Sequence, residues 1–336
     1  TCFNRDILLM KRLAVFAAHD PDGIIDDYIL YYLTELAKVA DVVFVCDHVL
    51  VEAELNKVKT LCKYVIAKRH LEYDFGSYKL GYFWAKNNDI LQDYDELIFC
   101  NDSAYGPFCS FDEIFKQMEN KPNNEFWSVF NERNKRVSYC QSYFLVFKKN
   151  VFLSECFLNF VKSIKKEASH TAVVRNYEQG LTKVLVESNF NYNSYFSSNR
   201  NDPHNDKFYN LIISGFPFLK RTCFSHFGVN SKCRNICNYK DGISSVSDYP
   251  VDLIEINLKR RMGKYFAWSV FDKSKTIINY KLFAKIVLLM RPKKYYGREG
   301  RGSFVGTYWL YTVSTKYLKF KSCITSFFKK LISPTS

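Results

Sequence analysis

Four short apolar runs, each followed by residues at helical spacing, most constrain what this chain can fold into. Leu13-Ala14-Val15-Phe16-Ala17-Ala18 precedes a segment with Ile29, Leu30, Leu33 and Leu36 on one face. Val42-Val43-Phe44-Val45-Cys46 precedes a helical stretch over residues 52–61, and Tyr64-Val65-Ile66-Ala67 precedes one that opens at Asp74-Phe75-Gly76 and runs through Trp84. The fourth run is Leu97-Ile98-Phe99-Cys100. Strands alternating with helices predict a parallel sheet with right-handed crossovers. Asp26 stands where a cap for the first helix is expected.

The fourth run ends abruptly in Asn101-Asp102-Ser103, and Gly106-Pro107 then breaks the chain. Open α/β sheets bind ligands outside the carboxyl ends of their strands. A carboxylate there, beside an amide and a hydroxyl, suits a hard cation such as Mg²⁺ or Mn²⁺ holding a diphosphate. The plainer alternative is that Asp102 only caps the next turn. No GxGxxG and no GKT or GKS loop occurs, which disfavours a classical dinucleotide site and a P-loop.

Beyond this stretch the pattern predicts a helix over residues 113–118, strands at 126–129 and 143–147, and a single helix over 151–165. Another helix is expected to open at Asn176-Tyr177-Glu178, where a glutamate is either a dipole partner or a catalytic carboxylate. Residues 194–206 read as a polar loop over the sheet edge, and His226 lies in an apolar context, as a core residue or a ligand. Residues 241–252 read as a flexible junction.

Charge divides the chain. From residue 255 to the end there are 18 Lys and Arg against 3 acids, whereas the remainder holds 30 against 31. Lys281, Lys285 and Arg291 accompany an apolar face of Phe283, Ile286 and Met290; Lys316, Lys319, Lys329 and Lys330 accompany Trp309, Val313, Tyr317, Phe320 and Phe327. Basic, aromatic amphipathic helices lie in membrane interfaces, although the same stripes would serve as packing faces. No run of about eighteen apolar residues supports a spanning helix. The expected division is a body over 1–240, a junction over 241–257 and a basic helical region over 258–336. The eleven cysteines contain no CxxC pair, so reduced thiols in a cytosolic protein are expected, and no signal peptide is visible.

Six short motifs in order carry a resemblance: Ala14-Val15-Phe16-Ala17-Ala18-His19 with Asp22-Gly23; Asp74-Phe75-Gly76-Ser77-Tyr78-Lys79 with Gly81; Asn101-Asp102-Ser103 with Tyr105-Gly106-Pro107; Gln141-Ser142-Tyr143-Phe144; Tyr177-Glu178 with Leu181-Thr182; and Gly215-Phe216-Pro217-Phe218-Leu219-Lys220. Over residues 11–222 the chain resembles the rhamnan synthesis F family of bacterial polysaccharide glycosyltransferases. Where that family commonly reads Arg-Asn-x-Gly, this chain has Arg69-His70-Leu71-Glu72. The resemblance implies a GT-A-like, Rossmann-type α/β fold with a mostly parallel sheet and flanking helices. It implies transfer of rhamnose or a similar sugar from a nucleoside diphosphate donor to a glycan or lipid-linked glycan acceptor, at the cytoplasmic face of a membrane. Donor contacts are then expected from His19, Asp22, Asp74, Lys79, Asn101, Asp102 and Ser103, and catalysis from Asp102 and Glu178. Mg²⁺ or Mn²⁺ would rest on Asp102 and His226, or be dispensed with in a metal-independent variant. The basic tail would meet an anionic membrane surface; a nucleic-acid-binding scaffold is the other function class compatible with that charge, and no nucleic acid is expected if the resemblance holds.

Overall fold

A computed structural model describes residues 10–133, 138–198, 208–225 and 239–262. The first half alternates as β1 (Arg12–Ala18), α1 (Asp27–Ala37), β2 (Asp41–Cys46), α2 (Glu52–Lys59), β3 (Tyr64–Ala67), α3 (Tyr73–Asn87) and β4 (Glu96–Asn101). There follow β5 (Ala104–Tyr105), α4 (Phe111–Glu119), β6 (Phe126–Arg133), β7 (Ser138–Cys140), β8 (Phe144–Lys148), α5 (Lys149–Phe152), α6 (Glu155–Ser163), α7 (His170–Val173), α8 (Gln179–Glu187) and β9 (Tyr192–Ser198). Short elements α9 (Phe208–Ile213), β10 (Leu219–Lys220), α10 (Thr222–Ser225) and α11 (Tyr239–Ser244) lead to α12 (Asp252–Met262).

The fold is mixed α/β around a mostly parallel central sheet, ordered β3-β2-β1-β4-β8-β6-β7, with β9 also on β6. β1, β2, β3 and β4 are mutually parallel, as the alternation requires. β8 runs antiparallel to β4 and to β6, and β7 antiparallel to β6. Strand side chains alternate between faces. Ala14, Phe16, Phe44, Ile98 and Phe144 pack beneath α1 and α4, while Leu13, Val15, Val45, Leu97, Phe99 and Phe147 pack beneath α3 and α6. Gly81 lets α3 lie directly on β1: a Cβ there would meet Val15 Cγ1 at 2.3 Å. The rings of Tyr78 and Phe99 stack at 4.6 Å between α3 and β4.

Several local expectations differ from the structure. The helix expected over 151–165 is two helices, because Ser154 caps the second one by accepting from the Phe157 N–H at 3.3 Å. The helix expected from Asn176 begins earlier, at His170, and passes through a π-helical turn, Val174–Glu178, before α8. Part of the expected loop over 194–206 is β9, which pairs Phe130 with Phe196; residues 199–207 lie outside the described residues. Helices α11 and α12 enter the expected junction, where Ile243 and Ile254 join the core. Asp26 occupies the cap position of α1, but its side chain makes no cap bond. It binds Asn257 Nδ2 at 2.6 Å and Arg260 Nε at 2.7 Å instead. Among the described residues no helix is long and apolar enough to cross a membrane, and the basic segment beyond Met262 lies outside them.

Candidate active site

The carboxyl ends of β1 and β4 lie side by side, and hydrogen bonding continues past the last paired residues. The Asp102 N–H donates to the Ala17 carbonyl at 3.1 Å, and the His19 N–H donates to Asp102 Oδ2 at 3.3 Å. Asn101 turns the chain on itself, its Oδ1 accepting from the Ser103 N–H at 3.1 Å. Its Nδ2 donates to Asp74 Oδ2, 2.9 Å away at the start of α3. One amide side chain therefore ties the strand end to a carboxylate from 27 residues earlier.

Two cations are placed here by the short antiparallel pairing of β10 with β5, which sets Lys220 opposite Ala104. Lys220 Nζ donates to Ser103 Oγ at 3.1 Å and lies 4.1 Å from the centre of the Tyr143 ring. Arg221 Nη1 donates to the Asp102 carbonyl at 2.8 Å and stands 3.1 Å from Asp102 Oδ2. The same nitrogen donates to the Tyr28 hydroxyl at 2.6 Å, and that hydroxyl donates to the Asp102 carbonyl at 3.0 Å.

Glu178 approaches from the π-helical turn that precedes α8. Its Oε1 accepts from both the backbone N–H and the hydroxyl of Ser142, at 2.8 and 2.9 Å. Burial raises the Glu178 pKa, opposed by the Ser142 bonds and by Lys220. Burial also raises the pKa of Asp74, opposed by His170 and Lys220. Lys220 shifts the other way: burial lowers its pKa, and the charges of Glu178 and Asp74 hold part of it up. Acids pushed up and an amine pushed down, in one cluster at strand ends, are the pattern expected where protons are moved.

Asp74, Asn101, Asp102, Ser103 and Glu178 are thus brought together. His19 joins through its backbone, and its Nδ1 lies 3.2 Å from the Asp47 carbonyl. Asp22 is not drawn in: its side chain is 60% exposed and stands 3.9 Å from Arg260. The engaged acid of that turn is Asp20, whose Oδ2 meets Arg260 at 2.6 Å and Arg261 at 3.2 Å. Lys79 is directed elsewhere, donating to the Ile164 carbonyl at 2.6 Å. His226 lies outside the described residues. Ser142, Lys220 and Arg221 were not singled out as site residues; the signal available was two successive cations closing an apolar run, and a serine beside a strand start.

The donor set around Asp102 suits a resident divalent ion poorly. Its carboxylate already faces the Arg221 guanidinium at 3.1 Å, a fixed cation that competes with a divalent ion for the same oxygens.

With this geometry in view, similarities to known proteins can be placed. The uncharacterized protein y4gN of Sinorhizobium fredii (strain NBRC 101917 / NGR234) is 24% identical over 187 residues, 55% of this chain and 48% of that protein. The chain therefore spans about half the length of that curated relative. A cytidylyltransferase structure from Leptospira borgpetersenii is similar with a TM-score of 0.39 and 14% identity, covering 80% of this chain and 100% of the other. Core-mannan synthase A of Aspergillus fumigatus, in its Mn/GDP form, is similar with a TM-score of 0.29 and 11% identity, covering 45% and 63%. Likenesses at that level carry no functional argument. The family model for Rhamnan synthesis protein F matches residues 42–292, about three quarters of the sequence. That span includes Asp74, Asn101, Asp102, Ser103, Glu178, Lys220 and Arg221, and the chain belongs to the rhamnan synthesis protein F family.

Proposed function

We propose that this chain is a GT-A-type glycosyltransferase that moves a hexose or deoxyhexose, such as rhamnose, from a nucleoside diphosphate donor to a growing lipid-linked surface polysaccharide. Family membership supports a sugar-transfer role in polysaccharide synthesis. The observation that carries the reading is the convergence at the end of β4 of Asp74, held by Asn101, and Lys220, held by Ser103, with the charge of Glu178 acting on Lys220. Transfer needs a base for the acceptor hydroxyl and a positive environment for the leaving diphosphate.

Glu178 serves as the base in an inverting displacement. Ser142 fixes its Oε1, so the carboxyl group has one orientation rather than several. The raised pKa makes it a better proton acceptor than an ordinary glutamate once it is ionised. Asp74, held by Asn101, contacts the polar part of the donor. Asp102 acts as a positioning residue, keeping Arg221 against the strand end. The cytoplasmic face of the cell membrane, where a lipid-linked acceptor is presented, is the proposed place of action.

Incubating the protein with UDP-, GDP-, CDP- and dTDP-sugars and a membrane fraction, with release of the nucleoside diphosphate followed by mass spectrometry, tests this. One donor should be consumed with acceptor-dependent release of its diphosphate. Consumption of none, by a folded protein, refutes the reading.

A further inference from the structure

Asp102, one of the two residues expected to hold a metal ion, is instead bound to a cation of the protein itself. Arg221 Nη1 reaches both the carboxylate and the carbonyl of Asp102, at 3.1 and 2.8 Å. A divalent ion seated on that carboxylate would stand within a few ångströms of the guanidinium, and like charges at such range repel strongly when partly shielded from water. Lys220 reaches the adjacent residue, Ser103, through its hydroxyl.

Both cations are fixed by main chain as well as side chain. Lys220 is paired in register with Ala104, and the Arg221 N–H donates to the Ser103 carbonyl at 2.9 Å. Arg221 is further braced by Tyr28, which closes a three-way contact with the Asp102 carbonyl. Lys220 sits over the face of Tyr143, a cation–π contact that fixes the ammonium without neutralising it. Two neighbouring residues thus present two positive charges at the carboxyl end of β4, the edge at which open α/β sheets bind phosphates. Neither side chain has to be ordered by an arriving anion, and charges fixed beforehand are the most effective in stabilising a leaving group.

We propose that Lys220 and Arg221, with the Ser103 hydroxyl beside them, bind the diphosphate of the donor and take up the leaving-group charge in place of a metal ion on Asp102. The inference rests on the transferase reading above. In the step itself the acceptor oxygen bonds to the anomeric carbon and its proton passes to Glu178. The bond from that carbon to the diphosphate oxygen breaks, and its electron pair leaves on that oxygen, facing the two cations. No oxidant or further reactant is needed.

The test is calorimetric titration of the full chain with UDP, GDP, CDP and dTDP and the matching monophosphates, in EDTA and again in Mn²⁺. One diphosphate should bind in EDTA, with an affinity that Mn²⁺ changes by less than about threefold. Losing a charged hydrogen bond, Lys220→Met should weaken that diphosphate about tenfold to a hundredfold, and the monophosphate less. Lys220→Arg should restore most of the loss. Ser103→Ala, a milder change, should weaken binding by a few-fold and serves as the readout should Lys220→Met not fold. Binding that requires Mn²⁺, and that neither Lys220→Met nor Ser103→Ala weakens, overturns the proposal while leaving the transferase reading standing. Binding of no nucleotide in either buffer overturns both.

Discussion

Replacing Ser142 by alanine isolates one bond to the proposed base. The hydroxyl donates to Glu178 Oε1 at 2.9 Å, while the backbone N–H to the same oxygen, at 2.8 Å, survives the substitution. A hydrogen bond to a charged group contributes about 1.5–3 kcal/mol, and one pKa unit corresponds to about 1.4 kcal/mol. The bond favours the ionised carboxylate, so its loss should push the Glu178 pKa up by roughly one to two units. A base works ionised, and the acid limb of kcat should therefore move to higher pH by that amount, with turnover recovering to within about threefold on the alkaline side. Donor KM should change little. Stability gives a second reading with the same sign. Because the folded pKa of Glu178 already lies above the ordinary value, its favourable contribution is present at low pH and lost as pH rises through the folded pKa. Ser142→Ala should enlarge that loss, so the variant falls furthest behind the parent protein at neutral and alkaline pH in thermal melts. A uniform drop in kcat across the whole pH range, with the limb unmoved, would refute the assignment and leave Ser142 a packing residue.

Glu178→Gln should lower kcat by about a hundredfold to ten-thousandfold while leaving donor affinity nearly intact, read by steady-state kinetics beside calorimetry; weaker donor binding at unchanged kcat would move the residue to the donor side. Asp74→Asn should raise the melting temperature at neutral pH, since burial raises the acid's pKa and the amide keeps an oxygen for Asn101 Nδ2; a lower one would show that the ionised acid stabilises the fold. Arg260→Ala should cost on the order of 3 kcal/mol at pH 7, because it strips Asp20 and Asp26 of their shared guanidinium. Burial works to raise the Asp20 pKa, but Arg260 and neighbouring N–H groups bring it below the ordinary value, so this cost should shrink below about pH 4, as urea melts at two pH values can show. Beyond Met262 the basic region is proposed as a peripheral membrane anchor: a chain ending after residue 262 should lose sedimentation with anionic vesicles, to which about five engaged lysines or arginines would contribute ~1 kcal/mol each. Unfolding of that shortened chain would assign the region to the core instead.

The parallel half of the sheet was legible because each strand is a short apolar run and each helix keeps a 3.6-residue period. Direction was not: Phe144-Leu145-Val146-Phe147 reads the same whether it pairs with β4 parallel or antiparallel, and the choice falls on side-chain contacts such as Phe99 with Phe147. Strand β9 was missed because its serines and asparagine match a loop and its aromatics, Tyr192, Tyr195 and Phe196, do not alternate. At the candidate site, Asn101-Asp102-Ser103 stood out by the break that ends an apolar run, Glu178 by its place at an expected helix start, and Asp74 by the family resemblance. Lys220 and Arg221 were not, since cations that close a strand look like ordinary solvated ends until a distant pairing, Lys220 with Ala104, turns them inward. Asp26 shows the converse: a cap by position, its carboxylate is committed to residues 231 and 234 positions away.

That commitment also decides where α12 ends. Arg260 and Arg261, in the last turn of α12, are clasped to Asp20, just past the carboxyl end of β1 and next to the His19 N–H that binds Asp102. The last turn of α12 is thus pinned at the rim that carries the candidate site. A clasp fastened there ties α12 to the strand ends: the turn that holds Asp20 also presents the His19 N–H to Asp102, so α12 and the candidate site share one anchorage.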